Sequence, residues 1–377
     1  MTLCFEDELE LLKDKDLYRT LRVLEGRGPV KALYEGREIT LFCGNDYLGL
    51  SHHPRVVRAL QKAAEEHGVG SGAARLISGT SALHARLEEK IARFKNKETA
   101  LVYTAGYLAN AGVLSALAGK NDLIVMDKLC HASLIDGARL SGAQVRVFPH
   151  KNYVRCEEII KRGQTRKGPF GSDPFCRIIL VSDTVFSMDG DFADLAELIR
   201  LKQEYGCLLI ADDAHGTGVA GPTGRGATEG FENGIDVILG TLSKAVGAVG
   251  GFAAASQAIR EMLINTSRPF IFATSLPPAL CAAACEAISI MEEAPELREK
   301  LRQNMRALNP KLEFPIFPVM IGAEKAAVET AQNLLKKGFL VPAIRTPSVP
   351  KGKARLRVTV SAAHQPEDIR SFLQALP

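Results

Sequence analysis

The chain has 377 residues, 46% of them apolar, which is enough for a large hydrophobic core and more than one domain. Its 47 lysines and arginines nearly balance 43 aspartates and glutamates, which leaves a net charge of +4. So small an excess of positive charge argues against a nucleic-acid-binding or membrane-binding surface.

The N-terminal segment, residues 1–40, is predicted to be helical and to pack with a small domain. Leucines recur there at helical spacing over residues 1–35, until Gly26, a residue type that ends helices. A strand is predicted at 39–42 and a helix at 54–67, where a proline occupies the first helical position.

From about residue 99, short apolar runs alternate with amphipathic stretches. This alternation predicts an α/β fold with a mostly parallel, seven-stranded sheet flanked by helices on both faces. The large domain is expected to span residues 41–276. The predicted strands are 99–103, 123–126, 144–148, 177–182, 207–211, 237–240 and 251–255.

Beyond residue 276 the pattern changes to longer helices and isolated strands. Residues 277–377 are therefore predicted to form a smaller C-terminal α+β domain. Its predicted elements are helices at 279–292, 297–308, 326–337 and from Pro366, and strands at 316–321, 340–344 and 355–360.

Polar residues follow two buried strands of the predicted sheet. Asp212 and His215 come after one strand, and Thr241 and Lys244 after the next. The carboxyl ends of parallel strands meet at one edge, where α/β proteins bind ligands. Pyridoxal 5'-phosphate (PLP) needs an acid that keeps its ring nitrogen protonated and a lysine that forms a Schiff base with its aldehyde. The sequence therefore predicts a PLP site at this edge, with Asp213 turned away from it in a structural role.

A place for the PLP phosphate is predicted at the start of the helix after the strand at 99–103. That helix begins at Gly106 and Tyr107. Helix amino ends offer unpaired N–H groups and a favourable dipole to an anion. The hydroxyl of Thr241 is expected to add a further contact.

The motifs along the chain, taken in order, resemble the α-oxoamine synthases, PLP enzymes of fold type I that condense an amino acid with an acyl thioester. Each motif is weak alone, but eight in family order are specific. They are Asn45–Leu50, Leu76–Thr80, Asp127 with His131–Ser133, Val185–Gly190, Asp212–Gly218, Thr241–Lys244, Ala273–Pro278 and Ser361–His364.

The resemblance implies roles for individual residues around the cofactor. It makes Lys244 the Schiff-base lysine and Asp212 the partner of the pyridine nitrogen, and it stacks His131 on the ring. It also implies that His215 and Ser187 contact the phenolic oxygen of PLP.

The resemblance also implies a dimer and a substrate clamp. Thr274 and Ser275 match residues that relatives supply across a dimer interface, which implies a homodimer with shared active sites. Arg357 matches the arginine that binds the carboxylate of the amino acid, and Asn45 and Arg19 are further candidate substrate contacts.

Within the family, residues 343–350 and 355–360 resemble members that condense L-alanine with pimeloyl-CoA or pimeloyl-ACP. The implied product is 8-amino-7-oxononanoate, formed with loss of CO2 in biotin biosynthesis. Three alternatives stay open: a glycine-using relative (glycine C-acetyltransferase), an aminotransferase of the same fold, and a non-catalytic relative.

The eight cysteines are scattered, without a Cys-x-x-Cys pair. Such usage is typical of reduced thiols in the cytosol rather than of zinc ligands or disulfides. The acidic first residues lack the apolar run of a secretory signal, and the apolar stretch at 235–256 contains Lys244. A cytoplasmic protein without a metal site or membrane span is therefore expected.

Overall fold

The computed structural model describes residues 4–15, 17–165 and 176–377. Within them, the α-helices are α1 (Phe5–Asp14), α2 (Pro54–His67), α3 (Ala82–Phe94), α4 (Gly106–Leu117), α5 (Ala132–Leu140), α6 (Tyr153–Thr165), α7 (Leu195–Tyr205), α8 (Gln257–Thr266), α9 (Arg268–Ile271), α10 (Pro278–Glu293), α11 (Pro295–Leu308), α12 (Glu324–Lys336) and α13 (Pro366–Ala375). The strands are β1 (Lys31–Tyr34), β2 (Arg37–Leu41), β3 (Thr99–Tyr103), β4 (Leu123–Asp127), β5 (Gln144–Phe148), β6 (Ile178–Asp183), β7 (Leu208–Asp212), β8 (Val237–Thr241), β9 (Gly251–Ala255), β10 (Ile316–Gly322), β11 (Phe339–Leu340), β12 (Ala343–Ile344) and β13 (Ala354–Thr359).

The chain forms two compact units. The larger unit comprises the described residues of Leu50–Ser187 and Asp191–Arg298. The smaller unit takes its described residues from Met1–Gly49, Met188–Gly190 and Glu299–Pro377. The sequence placed the start of the smaller domain at 277, but α10 belongs to the larger unit because it packs against α2 and α3.

The larger unit is built on a seven-stranded sheet in the order β3-β9-β8-β7-β6-β4-β5. Only β9 runs antiparallel to its neighbours, and the other pairs are parallel. Strands β4, β6 and β8 are buried along their whole length, as expected when helices cover both faces of a sheet. The predicted α/β fold with seven mostly parallel strands is thus confirmed.

The smaller unit contains two three-stranded sheets, in the orders β1-β2-β11 and β10-β13-β12. Its core includes a stack of rings in which Phe42 lies 4.4 Å from His364 and 4.1 Å from Phe372, measured between ring centroids. Burial lowers the pKa of His364 to about 4, so this imidazole is neutral and contributes to packing.

Two local predictions for the smaller unit are wrong. The helix predicted within residues 1–35, with Gly26 as its end, is limited to α1. Glu25 is extended instead, because it forms an antiparallel bridge with Leu33 of β1, which in turn forms a hairpin with β2. The single strand predicted at 340–344 is divided into β11 and β12, which join different sheets. Pro342, between them, has no N–H to donate to a sheet.

No helix among residues 4–15, 17–165 and 176–377 is long and apolar enough to cross a membrane.

Candidate active site

Asp212, the last residue of β7, is buried at the carboxyl edge of the large sheet. Its Oδ1 accepts the backbone N–H of Ala214 at 2.9 Å, and its Oδ2 accepts Nδ2 of Asn110 at 2.6 Å. Two donors on one carboxylate hold it in a defined orientation. An oriented carboxylate is the group that a protonated pyridine nitrogen requires.

His131 directly precedes α5 and is held by two hydrogen bonds. Its backbone N–H donates to Oδ2 of Asp183 at 2.9 Å, and its Nδ1 accepts the backbone N–H of Ser133 at 3.3 Å. The pKa of His131 is lowered by desolvation, against the attraction of Asp212, and the positive charge of Lys244 lowers it further. His131 is exposed in the single chain, and its imidazole favours the neutral form more strongly than an unperturbed histidine does.

Asp183 ends β6 and is paired in register with Asp212 on the neighbouring strand. Burial and then the charge of Asp212 raise the pKa of Asp183 well above its usual range, against the N–H of His131 and the charge of Lys244. Lys244 follows β8, which pairs in parallel with β7, so Lys244 and Asp212 lie at the same edge of the sheet. The hydrogen bond from His131 to Asp183, at the end of β6, brings His131 to that edge as well.

The start of α4 and the end of β8 form a narrow cradle. A Cβ atom added to Gly106 would lie 3.1 Å from Cβ and Oγ1 of Thr241, and one added to Gly251 would lie 2.6 Å from Cα of Gly106. The residue before the helix, Ala105, has no side chain that could cap the first N–H groups. An open helix amino end beside a threonine hydroxyl suits a phosphate group, so the residues present fit PLP.

The other predicted cofactor residues also belong to the larger unit, Lys244, His215 and Ser187 on loops and Tyr107 in the first turn of α4. Lys244 is half-buried, and its carbonyl accepts the N–H of Gly247 at 2.8 Å in the turn after β8. His215 is buried and Ser187 half-buried. Tyr107 is exposed, and its hydroxyl donates to Asp136, whose hydrogen bond raises the pKa of Tyr107.

The two residues predicted at a dimer interface have different surroundings in the single chain. Thr274 is exposed, whereas Ser275 is buried with its Oγ 2.8 Å from Nε2 of His84. Ser275 therefore has an intrachain partner, and Thr274 is the residue that a second chain could reach.

Two of the predicted substrate residues meet within the smaller unit. Arg357, buried on β13, places Nη1 and Nη2 at 3.3 and 3.2 Å from Oδ1 of Asn45. Arg19 lies elsewhere in that unit, in a cavity of about 350 Å³ that is lined by Arg22 and Arg345 but not by Arg357 or Asn45.

Asp213, the residue after Asp212, forms a buried ion pair with Lys95. Nζ of Lys95 is 2.7 Å from Oδ2 of Asp213, and Thr184 donates its hydroxyl to Oδ1 of the same carboxylate at 2.6 Å. This surrounding gives Asp213 a structural role in the larger unit.

His150 holds the loop that carries Ser187 through a hydrogen bond to Asp191 of the same loop. Nδ1 of His150 lies 3.0 Å from Oδ1 of Asp127, and Nε2 lies 3.0 Å from Oδ2 of Asp191, which also accepts Nζ of Lys151 at 3.0 Å. Burial by itself lowers the pKa of His150, but the hydrogen bonds to the two carboxylates outweigh it and leave the pKa raised.

The raised pKa makes the stability of this loop dependent on pH. Protonation of His150 favours the folded state, so its contribution is complete below the unfolded pKa of about 6.5 and is lost as pH rises through the folded value. We expect His150→Gln to lower the Tm by about 2 °C at pH 6 and by less at pH 9. Thermal unfolding at both values tests this, with exposed His67→Gln as control; an equal loss at both values contradicts it.

Sequence reasoning missed three residues that orient the site: Asn110, Ser133 and Asp183. Asn110 was detectable as the only amide in a helix of mostly small and apolar residues. Asp183 lies one residue beyond its predicted strand. Ser133 belongs to a motif that carries the resemblance, which implies no role for it.

Comparison with known proteins gives a consistent result. Residues 37–376 match the family model described as aminotransferase class I and II. The chain is 46% identical to a putative 8-amino-7-oxononanoate synthase of Desulforudis audaxviator, with 98% of this chain and 97% of that protein covered, and 45% identical to an 8-amino-7-oxononanoate synthase of Citrifermentans bemidjiense, with 97% and 95% covered.

Solved structures show the same likeness. Serine palmitoyltransferase from S. paucimobilis, determined with bound PLP and myriocin, aligns with a TM-score of 0.90 at 32% identity over 98% of this chain and 95% of its own. An 8-amino-7-oxononanoate synthase from Francisella tularensis aligns with a TM-score of 0.75 at 27% identity, over 89% and 96%.

Proposed function

The chain belongs to the aminotransferase class I and II family of PLP-dependent, fold-type I enzymes, and from this membership we propose that it has 8-amino-7-oxononanoate synthase activity. The observation that carries the proposal is the cluster of Asp212, His131 and Lys244 beside the Gly106–Thr241 cradle. The full-length similarity to synthases of that name supports the choice of substrates.

The proposed reaction joins L-alanine to a pimeloyl thioester carried by CoA or by an acyl carrier protein. A bond forms between Cα of alanine and the thioester carbonyl carbon, while the C–S bond and the bond from Cα to the carboxylate break. The products are 8-amino-7-oxononanoate, the free thiol and CO2. PLP, when bound, supplies an electron sink that stabilises negative charge at Cα of the amino acid.

The residues of the larger unit divide the work of holding the cofactor. The carboxylate of Asp212 would accept the N–H of the pyridine ring, and the amino end of α4 with Thr241 would hold the phosphate. His131 would contact the ring, and His215 and Ser187 would bind the phenolic oxygen. Tyr107 contributes its backbone at the helix start.

Lys244 has two tasks in this proposal. Its Nζ would hold the cofactor covalently in the absence of substrate, and its amine would take the proton from Cα and return it. The guanidinium of Arg357 binds the carboxylate of alanine, because its planar fork can donate two parallel hydrogen bonds. Asn45 orients this fork, and Arg19 is proposed as a further substrate contact.

We also propose that the protein is a cytoplasmic homodimer. The exposed position of Thr274 supports a contribution from one chain to the active site of the other.

A substrate comparison tests the proposed activity. We expect alanine with pimeloyl-CoA to give a kcat/KM at least about 100-fold above that for glycine with acetyl-CoA, because the methyl group of alanine and the longer acyl chain each add apolar contacts in the transition state. Release of thiol and CO2 is followed for all four amino acid and thioester pairs.

Two results of that assay would contradict the proposal. Preference for glycine with acetyl-CoA would indicate a glycine C-acetyltransferase. Transfer of the amino group without release of thiol would indicate an aminotransferase.

A further inference from the structure

A chain of hydrogen bonds, buried from Asp212 to Ser133 and part-buried at His131, links Asp212 to His131 through Asn110 and Ser133. Asn110, on α4, is buried, and Ser133, on α5, is fully buried. Nδ2 of Asn110 lies 2.6 Å from Oδ2 of Asp212 and 2.9 Å from Oγ of Ser133. One amide group therefore contacts Asp212 directly and His131 through the hydroxyl of Ser133.

The direction of each hydrogen bond follows from its partners. The amide nitrogen of Asn110 must face Asp212, since an amide oxygen there would repel the carboxylate. Its two N–H groups are then used, one by Asp212 and one by Oγ of Ser133. The oxygen of Ser133 is consequently an acceptor from Asn110.

The same reasoning determines the protonation of His131. Oγ of Ser133 lies 2.7 Å from Nδ1 of His131, and its one hydrogen has no other acceptor among the contacts described. The hydroxyl therefore donates to Nδ1, and an accepting nitrogen carries no proton. The backbone N–H of Ser133 adds only a longer contact to the same nitrogen, at 3.3 Å. The ring proton of neutral His131 is left on Nε2.

We propose that Asn110 and Ser133 are positioning residues that set the tautomer of His131 and orient the carboxylate of Asp212 through one shared amide. The purpose given to these hydrogen bonds rests on the proposed function. The hydrogen bonds keep Asp212 available as an acceptor for the ring nitrogen of the cofactor, and they leave His131 as a neutral ring with an Nε2–H donor. Both properties are established before any ligand binds.

The arrangement opposes protonation of His131 in a specific way. A proton on Nδ1 would require the hydroxyl of Ser133 to turn and accept, although its oxygen already accepts from Asn110. The hydroxyl hydrogen would then lose its partner. The charges that also act on this ring are Asp212, which favours the imidazolium, and Lys244, which opposes it.

The test follows the ring nitrogens of His131 by NMR in the full-length protein with ¹⁵N-labelled histidine, over a range of pH and without substrates. Loss of signals in His131→Asn assigns the residue. We expect the wild type to carry its proton on Nε2. In Asn110→Ala and in Ser133→Ala, the midpoint of the His131 titration should rise by about one pH unit, the equivalent of one hydrogen bond, and the Nδ1–H tautomer should appear.

Two further variants separate this role from general loss of packing. Ser133→Thr keeps the hydroxyl and is expected to retain the wild-type tautomer. Ser115→Ala removes a hydroxyl from the same helix as Asn110, where it contacts only the carbonyl of Gly112 among the contacts described, and is expected to change nothing.

The proposal is overturned if wild-type His131 carries its proton on Nδ1, or if Ser133→Ala folds and leaves both tautomer and midpoint unchanged. If Asn110→Ala does not fold, comparison of Ser133→Ala with Ser133→Thr still tests the proposal. A wild type that shows the Nε2–H tautomer but no synthase activity would contradict the proposed function and support this inference.

Discussion

Replacing Lys244 with alanine is expected to lower the kcat of the proposed synthase reaction about 1,000-fold or more. The amine is the group proposed to hold the cofactor covalently and to move the proton at Cα, and an acid–base group by itself contributes about 100- to 10,000-fold. Lys244 follows β8, the strand that pairs in parallel with β7 and its terminal Asp212. Steady-state release of thiol measures the effect.

A covalent readout accompanies the kinetic one. After incubation with PLP and reduction with borohydride, mass spectrometry should find the cofactor on the peptide with Lys244 in the wild type and on no peptide in the variant. Lys120→Ala, which removes an exposed lysine from the loop after α4, is the control and should leave both readouts unchanged. Cofactor trapped on another lysine of the wild type would refute the assignment.

Replacing Asp213 with alanine is expected to lower the free energy of unfolding by about 3–5 kcal/mol. Lys95 and Asp213 have side chains that are 1% and 0% exposed, so the change would leave a buried ammonium without its counter-charge. The glycines nearby provide the space for the pair: a Cβ at Gly226 would lie 1.7 Å, and one at Gly216 2.1 Å, from an oxygen of Asp213.

Denaturant unfolding measures this loss. Glu89→Ala, which removes the exposed partner of Arg93, is the matched control and should change stability by no more than about 0.5 kcal/mol. Changing Lys95 and Asp213 together to apolar residues should restore only part of the stability, since it removes the unpaired charge but leaves the hydroxyl of Thr184 and the N–H of Ala227 without their acceptor. A loss below about 1 kcal/mol for Asp213→Ala would show that the pair is not isolated from water.

Some parts of the candidate site could be read from local sequence. Asp212 and Thr241 end strands whose apolar runs are long enough to be recognised without a structure. Adjacent parallel strands necessarily bring such end residues to one edge. The helix start at Gly106 was predictable for the same reason, because it follows β3 directly.

Other parts could not be read in this way. Asn110 and Asp212 are 102 positions apart, and Lys95 and Asp213 are 118 apart. Which residue of a helix meets which strand depends on how the helix packs on the sheet, and periodicity does not determine that. The division into two units likewise depends on α10 packing against α2 and α3.

By itself, the sequence determined the strands of the large sheet and the chemical groups at their ends, because hydrophobic periodicity and strand polarity are local properties. Only the tertiary structure decided how those groups are oriented and charged. Asn110, Ser133 and Asp183 orient Asp212 and His131 through hydrogen bonds across elements distant in the chain. Their strength depends on burial, which exists only once the sheet and its helices have packed.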